Sequence, residues 1–343
     1  MTESAAPAEW LFGMRRSGER SRTCCVFLGL LLLLGGAALW RLLAGDMEIP
    51  FPGALRIVLG FEHALTPQQA LVIRAVRLPR LLASLGAGAS LAVSGVVLQG
   101  ILVNPLAEPY TLGIASGAAL GASLGIFLGG AWIPAAAFAG ALAALSLSLL
   151  LAWRSGGFSP LHMVLSGIVI GSVLSAGVTL LKALAGERVA AIVLWLMGSF
   201  SGASSEGAFS VAAGAFALFA AAWWWGRDLD AISLGENRAV YLGVEERRIK
   251  GTLLVLASLA TALTVASHGI IGFVGLVGPH LLRMALGPSH RVLLTASFLG
   301  GALLLTVADG VARSLGELPV GVVTSLAGGP VFCWILLRGR ERV

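Results

Sequence analysis

Arginines at the ends of apolar segments are the residues whose positions in this sequence first suggest chemistry. Arg77, Arg80 and Arg313 each stand at such an end. The planar guanidinium of arginine binds a carboxylate through two parallel hydrogen bonds, so these residues could capture acidic groups of an external protein. The same positions also suit arginines that anchor a helix by extending their side chains to a membrane surface. The sequence leaves both interpretations open.

Two further ionisable residues lie within apolar segments, where they could carry a proton or bind a cation. Asp309 precedes Arg313 by four residues, the spacing of an ion pair on one face of a helix. His280 follows Pro279 and has no histidine, cysteine or acidic residue three or four positions further along, so it lacks a metal-site partner. We therefore predict that Asp309 pairs with Arg313 and that His280 is structural.

The composition identifies the kind of element that must position these residues. The sequence is 57% hydrophobic and 12% charged, and that charge is about half of the ~25% found in soluble domains. The apolar segments are long and continuous instead of alternating, which predicts α-helices and excludes a β-barrel. The 46 glycines suit close helix packing, and we place Gly272, Gly275 and Gly278 among the close-packing positions.

Ten apolar runs are each near the roughly 20 residues that a bilayer requires. They are residues 24–43, 81–103, 112–130, 132–153, 161–183, 207–225, 251–267, 270–286, 293–309 and 320–337. The sequence therefore predicts an all-α polytopic membrane protein with ten transmembrane helices in a lipid bilayer. The net charge of +6 gives no support for nucleic-acid binding, since the placement of charge matters more than its sum in such a protein.

The distribution of positive charge predicts the orientation of these runs. Placing the N-terminus inside the cell puts fifteen of the 23 lysines and arginines in inner segments and the other eight in outer ones. Inner loops of membrane proteins carry the excess of positive charge, so both termini are predicted to be cytoplasmic. Arg77, Arg80 and Arg313 then lie at the outer ends of their helices.

The parts of the chain follow from this orientation. Residues 1–23 form a cytoplasmic segment, residues 24–338 the membrane domain and residues 339–343 a cytoplasmic tail. The first run is leucine-rich and lacks a small-residue cleavage site, which favours a retained span over a signal peptide. The three cysteines lie near the cytoplasmic side and suggest no disulfide framework.

The sequence lacks the common motif for binding ATP. No G-x-x-x-x-G-K-[ST] loop occurs, and several runs contain no ionisable residue that could couple transport to an ion gradient. Energy would then come from another subunit. The polar segment 226–250, predicted to be cytoplasmic, is either a solvated loop or a docking surface for a soluble partner, and its length favours docking.

Five ordered motifs resemble the FecCD family of ABC-transporter permeases. They are RLPRLLASLGAGASLAVSGVVLQGILVNPLAEPYTLGIASGAALGA (77–122), WLMGSFSG (195–202), LDAISLGENRAVYLGV (229–244), GIIGFVGLVGPHLLRMALGPSHRVLL (269–294) and ADGVARSLGELPVGVVTSLAGGPVFCWIL (308–336). The resemblance implies a type II ABC importer permease fold in the bacterial inner membrane. It also implies a homodimer, two cytoplasmic ATPase subunits that carry ATP and Mg²⁺, and a periplasmic binding protein. The imported substrate would be an iron–siderophore complex, haem or a corrinoid such as cobalamin, with no cofactor on this chain.

The resemblance also assigns roles to individual positions. It implies that Arg77, Arg80 and Arg313 bind the binding protein. It also implies that the translocation pathway and its gate are formed by Leu106, Pro160, Leu161 and Leu165. The residues implied to contact the ATPase are Leu234, Gly235, Glu236, Asn237, Arg238, Ala239 and Gly243. The family usually has Glu-Ala-Ala where this chain has Asn237, Arg238 and Ala239, a departure that bears on the contacts made there.

Two other classes of function remain as alternatives. A stand-alone secondary transporter or channel would need coupling through Asp309 or His280. A membrane-embedded enzyme would need a nucleophile, a base and carboxylates converging within the spans, and no such set occurs in the sequence. We therefore predict no catalytic residue and no metal ligand in this chain.

Overall fold

The computed structural model describes residues 8–45, 47–58, 61, 66–130, 132–157, 159–233, 239 and 241–339. Every regular element within these ranges is helical, which confirms that the fold is all-α. In chain order the α-helices are α1 (Ala8–Leu43), α2 (Phe51–Val58), α3 (Pro67–Val72), α4 (Leu78–Ile101), α5 (Ile114–Phe127), α6 (Ile133–Gly156), α7 (Pro160–Leu184), α8 (Val189–Leu196), α9 (Ser205–Trp224), α10 (Gly226–Ile232), α11 (Glu246–His268), α12 (Val274–Leu286), α13 (His290–Ser314) and α14 (Val320–Gly339). A π-helical turn, Ile73–Arg77, makes α3 and α4 one continuous helical stretch.

Seven helical stretches in the described part of the chain are long and apolar enough to cross a membrane. They are Ser21–Leu43, Pro67–Ile101, Ile133–Gly156, Pro160–Leu184, Ser205–Trp224, Glu246–His268 and His290–Ser314. Shorter apolar helices, Ile114–Phe127, Val274–Leu286 and Val320–Ile335, coincide with the remaining three predicted runs. The predicted count of ten spans therefore depends on these three shorter helices crossing as well, and it stays a prediction.

Helix α4 is the centre of the bundle and is almost entirely buried. It packs against α9, α11, α12 and α13. The hydroxyls of Ser90 and Ser94 donate to the carbonyl oxygens of Ala260 and Ala257 on α11, at 3.1 and 3.2 Å. Small residues and serine hydroxyls hold membrane helices together in this way, because lipid supplies no hydrophobic force between them.

Glycines on α4 allow the closest helix contacts. A Cβ at Gly95 would lie 1.9 Å from the carbonyl oxygen of Gly275 on α12, and one at Gly88 would lie 2.1 Å from that of Gly301 on α13. The prediction of close packing is thus confirmed for Gly275. It is wrong for Gly278, which is buried but where an added Cβ would meet no atom within 4 Å. It is also wrong for Gly272, in the loop before α12, where an added Cβ would lie at an ordinary contact distance of 3.9 Å from Ser325 Oγ.

Helix α1 lies at the edge of the bundle and packs on α13. The ring of Trp40 lies where a side chain at Gly310 would be, 2.1 Å from the position of a Cβ there. Several leucines around the rest of α1, including Leu31, Leu32 and Leu33, are exposed. This distribution suits a helix with one face on α13 and the others toward lipid.

Candidate functional site

The ends of α1, α4 and α13 meet at one end of the bundle, where charged residues converge. We name Arg41, Arg80, Asp309, Arg313 and Glu317 the ionic cluster. Asp309 on α13 is 1% exposed and forms ion pairs with Arg41 of α1 and Arg80 of α4. The Arg80 Nε donates to the two Asp309 carboxylate oxygens at 3.0 and 3.2 Å, and its NH2 donates at 2.9 Å. One buried carboxylate thus joins three helices.

The ionic cluster reaches the surface through Glu317, in the turn after α13. Its carboxylate lies 2.7 Å from Arg80 NH1 and 3.4 Å from Arg313 Nε. The Glu317 side chain is half exposed and that of Arg313 is 20% exposed, whereas Arg80 is buried. The exposed edge of the ionic cluster is therefore the Arg313–Glu317 pair.

Arg77 lies beside the ionic cluster and binds backbone carbonyl oxygens at the end of α1. Its NH1 donates to the carbonyl oxygens of Leu42 and Leu43 at 2.7 and 2.8 Å, and its NH2 donates to Met47 O at 2.6 Å. The last carbonyls of a helix lack partners within it and attract cations. Arg77 is buried and closes the end of α1.

These positions bear on two predictions. The expected Asp309–Arg313 pair is wrong, because Asp309 turns inward to Arg41 and Arg80 while Arg313 pairs with Glu317 one turn later. Tertiary partners determine the pairing here, because the buried guanidiniums of Arg41 and Arg80 would lose their shared counter-charge if Asp309 turned to Arg313. The docking role of Arg77, Arg80 and Arg313 stays a prediction, and Arg313 is the member that reaches the surface.

The predicted pathway residues lie on exposed apolar surface. Leu161 and Leu165 share one face of α7 and are 65% and 50% exposed. Pro160 opens that helix, after Ser159, whose hydroxyl caps it by accepting from the His162 backbone N–H. Leu106 is also exposed, in a turn where its backbone N–H donates to Asn104 Oδ1 at 2.9 Å. The gate and pathway roles of these residues stay predictions.

That turn is fastened to the loop before α12 by a residue that sequence reasoning missed. The Tyr110 hydroxyl donates to Ile271 O at 2.9 Å and accepts from Ile271 N at 3.3 Å. Burial raises the pKa of the neighbouring Glu108 carboxyl. A tyrosine two residues after a glutamate gives no signal of a partner 161 positions away.

Two of the seven predicted coupling positions, Ala239 and Gly243, are among the described residues. Leu234, Gly235, Glu236, Asn237 and Arg238 fall outside the described residues. Ala239 is buried, and Gly243 has a φ of 75°, a left-handed conformation that favours glycine. The flanking helix α10 packs on α4 and α13.

A model of one known protein family matches nearly the whole chain. The model of the FecCD transport family matches residues 24–338, from α1 through α14. The chain belongs to the FecCD transport family. It is therefore a permease subunit of an ABC importer, as the motifs predicted.

Members of the FecCD family with named substrates are similar over most of their length. The cobalamin import system permease protein BtuC of Halobacterium salinarum is 40% identical over 277 residues, 79% of this chain and 74% of that protein. The hemin transport system permease protein HmuU of Yersinia pestis is 40% identical over 280 residues, 78% of this chain and 83% of that protein. Identity therefore does not favour one of these two permeases over the other.

One solved structure has the same fold as this chain. It is described as a metal-chelate type ABC transporter in an inward-facing conformation. It aligns with a TM-score of 0.78 and 34% sequence identity over 92% of this chain and 99% of its own. The shared fold therefore includes both ends of the bundle.

Proposed function

We propose that this chain moves a metal chelate from a periplasmic binding protein into the cytoplasm across a bacterial inner membrane. The observation that carries the proposal is the family match over residues 24–338, which reaches every candidate membrane helix. The relatives named for cobalamin and hemin are equally similar, which supports the class of metal chelates without choosing a member. Corrinoids, haem and iron–siderophore complexes are the candidates.

The proposed topology has ten spans with both termini in the cytoplasm. The ends of α1, α4 and α13 that charge counting placed outside all meet at the ionic cluster. The ends of α9 and α4 and the start of α13, predicted to be inside, meet at the other end of the bundle. Helix ends predicted to lie on the same side of the membrane thus meet at the same end of the bundle, which supports the proposed topology.

ATP hydrolysis by a separate subunit is the proposed source of energy. Asp309, the candidate acid for ion coupling, is buried, and both of its carboxylate oxygens accept hydrogen bonds from the guanidiniums of Arg41 and Arg80. A carboxylate fixed in this way is a poor carrier of protons, which disfavours a secondary transporter. Two ATPase subunits binding ATP and Mg²⁺ would act on the segment 226–250, and this chain would bind no cofactor.

A homodimer provides the proposed passage. The exposed apolar face of α7, with Leu161, Leu165, Ile168 and Val173, needs lipid, a second copy or substrate against it. In the proposed dimer this face and Leu106 line an apolar passage, and Pro160 and Leu161 form its inner gate. Weak binding in the passage suits transport, because affinity resides in the binding protein.

Docking of the binding protein is proposed at the exposed edge of the ionic cluster. Arg313→Glu changes the partly exposed arginine and spares Asp309. We expect the affinity for the binding protein to fall about tenfold or more, as for loss of a charge pair at an interface. Arg56→Glu, an equal charge change at an exposed position of α2, is the matched control. Unchanged affinity for the Arg313 variant would refute docking here.

Reconstitution tests the proposed function as a whole. The permease is placed in liposomes with its ATPase and binding protein, and uptake of cyanocobalamin, hemin and a ferric siderophore is measured. We expect accumulation of one of them only when the ATPase and ATP are both present. Accumulation driven by a proton or sodium gradient without the ATPase would instead establish a secondary transporter.

A further inference from the structure

A histidine and an aspartate join α10 to the start of α13. Asp230 on α10 accepts a hydrogen bond from the backbone N–H of His290 at 2.8 Å. The Nδ1 of the same histidine lies 2.7 Å from the same oxygen. A carboxylate can only accept, so Nδ1 carries the proton and donates. The N-cap of α13, Ser289, makes no side-chain cap bond, so Asp230 supplies the cap from another helix.

The other edge of the His290 ring rests on the end of α4. A Cβ at Gly100 would lie 2.8 Å from His290 Nε2, so the ring fills the space above this glycine. Nε2 is buried and has no hydrogen-bond partner among the described residues. Gly100 is in the last turn of α4, and the turn that follows contains Val103 at a φ of 46° and then Leu106. His290 thus lies between α10 and this turn.

Arg291, the next residue of α13, contacts the last turn of α9 and the first residue of α10. Its guanidinium lies 4.7 Å from the centre of the Trp223 ring, and its NH2 donates to Trp224 O at 3.4 Å. Its Cγ would be 2.6 Å from a Cβ at Gly226, the first residue of α10. The first two residues of α13 therefore hold both ends of α10. A shift of α10 must either move α13 or break these contacts.

We propose that Asp230 and His290 are positioning residues that transmit movement of α10 to the turn of residues 102–106. The proposal rests on the proposed function, in which an ATPase acts on the segment that α10 begins and Leu106 lines the passage. The His290 side chain contacts both Asp230 of α10 and Gly100 at the end of α4. The contact between His290 and Gly100 leaves no room for a methyl group, and such close packing favours movement of the His290 ring together with the end of α4.

A purely structural role gives a different expectation. If Asp230 only caps α13, any carboxylate that accepts from its first N–H groups should replace it. Ser289→Asp provides such a carboxylate at the N-cap itself without touching α10. A double variant, Asp230→Ala with Ser289→Asp, therefore separates the cap from the link.

The test measures substrate moved per ATP in liposomes that contain the permease, its ATPase and loaded binding protein. The probe is whichever of radiolabelled cyanocobalamin, hemin or a ferric siderophore the wild type accumulates. We expect Asp230→Ala to keep ATPase binding and hydrolysis while the ratio falls about fivefold or more, the range of a coupling between two sites. Ser289→Asp should restore thermal stability and leave the ratio low. Glu206→Ala, the loss of an exposed acidic side chain in the first turn of α9 and outside the segment 226–250, should leave the ratio unchanged.

Gly100→Ala perturbs the same contact from the α4 side and keeps the test decisive if Asp230→Ala does not fold. Its ratio should also fall, with ATPase binding intact. An unchanged ratio in both variants, restoration of the ratio by Ser289→Asp, or loss of ATPase binding would each overturn the link. A wild-type complex that shows no ATP-driven uptake would instead refute the proposed function.

Discussion

At the end of the bundle predicted to face outward, buried charge joins the helices, whereas the opposite end uses caps and backbone contacts. Asp309 joins α1, α4 and α13 through two guanidiniums. At the inner end Asp230, which is partly exposed, joins α10 to α13 through one histidine. Removing a buried charge leaves its partners without compensation, while losing a cap costs less. The outer end should therefore determine stability, and the inner end the relative positions of its helices.

Asp309→Asn should have the largest effect on stability. It leaves Arg41 and Arg80 buried without their shared carboxylate, and breaking a buried pair costs about 3–5 kcal/mol. Thermal unfolding in detergent measures the loss. Glu245→Gln removes an exposed pair with Arg248 and is the control, with an expected change below about 1 kcal/mol. Equal stability of the two variants would show that the ionic cluster does not hold the outer ends together.

Gly275→Ala should have an intermediate effect on stability. Gly275 lies between the two ends of the bundle, where α12 packs on α4. Its Cβ would lie 2.4 Å from Pro109 Cδ and 2.7 Å from Leu91 O, and overpacking costs about 1–3 kcal/mol. Gly278→Ala on the same helix meets nothing within 4 Å and should be neutral or slightly stabilising. Melting temperatures of the two variants make the comparison, and equal values would contradict the close contact.

Arg291→Gln should have the smallest effect on stability. It removes the cation over the Trp223 ring at a partly exposed site, which is worth about 0.5–1 kcal/mol. We expect a small drop in melting temperature, measured beside Arg248→Gln as the exposed control. A loss as large as that of Asp309→Asn would remove the distinction between the two ends.

The sequence predicted the helices well because apolar runs are local and long. All ten predicted runs coincide with described helices. The charged contacts were harder, because their partners are far apart in sequence. Asp309 is 268 positions from Arg41, and Asp230 is 60 positions from His290. Local spacing favoured Arg313 as the partner of Asp309, and a single sequence contains no signal that brings α1 beside α13.

The most direct measurement compares one variant from each end of the bundle by substrate moved per ATP. Arg41→Gln weakens the outer end but leaves Asp309 its bonds to Arg80, and Asp230→Ala breaks the inner link. Both ratios are normalised to folded transporter in the same liposomes. We predict a wild-type ratio for Arg41→Gln and a ratio lowered about fivefold or more for Asp230→Ala. A lowered ratio for Arg41→Gln with a wild-type ratio for Asp230→Ala would contradict the assignment of stability to the outer end and coupling to the inner end.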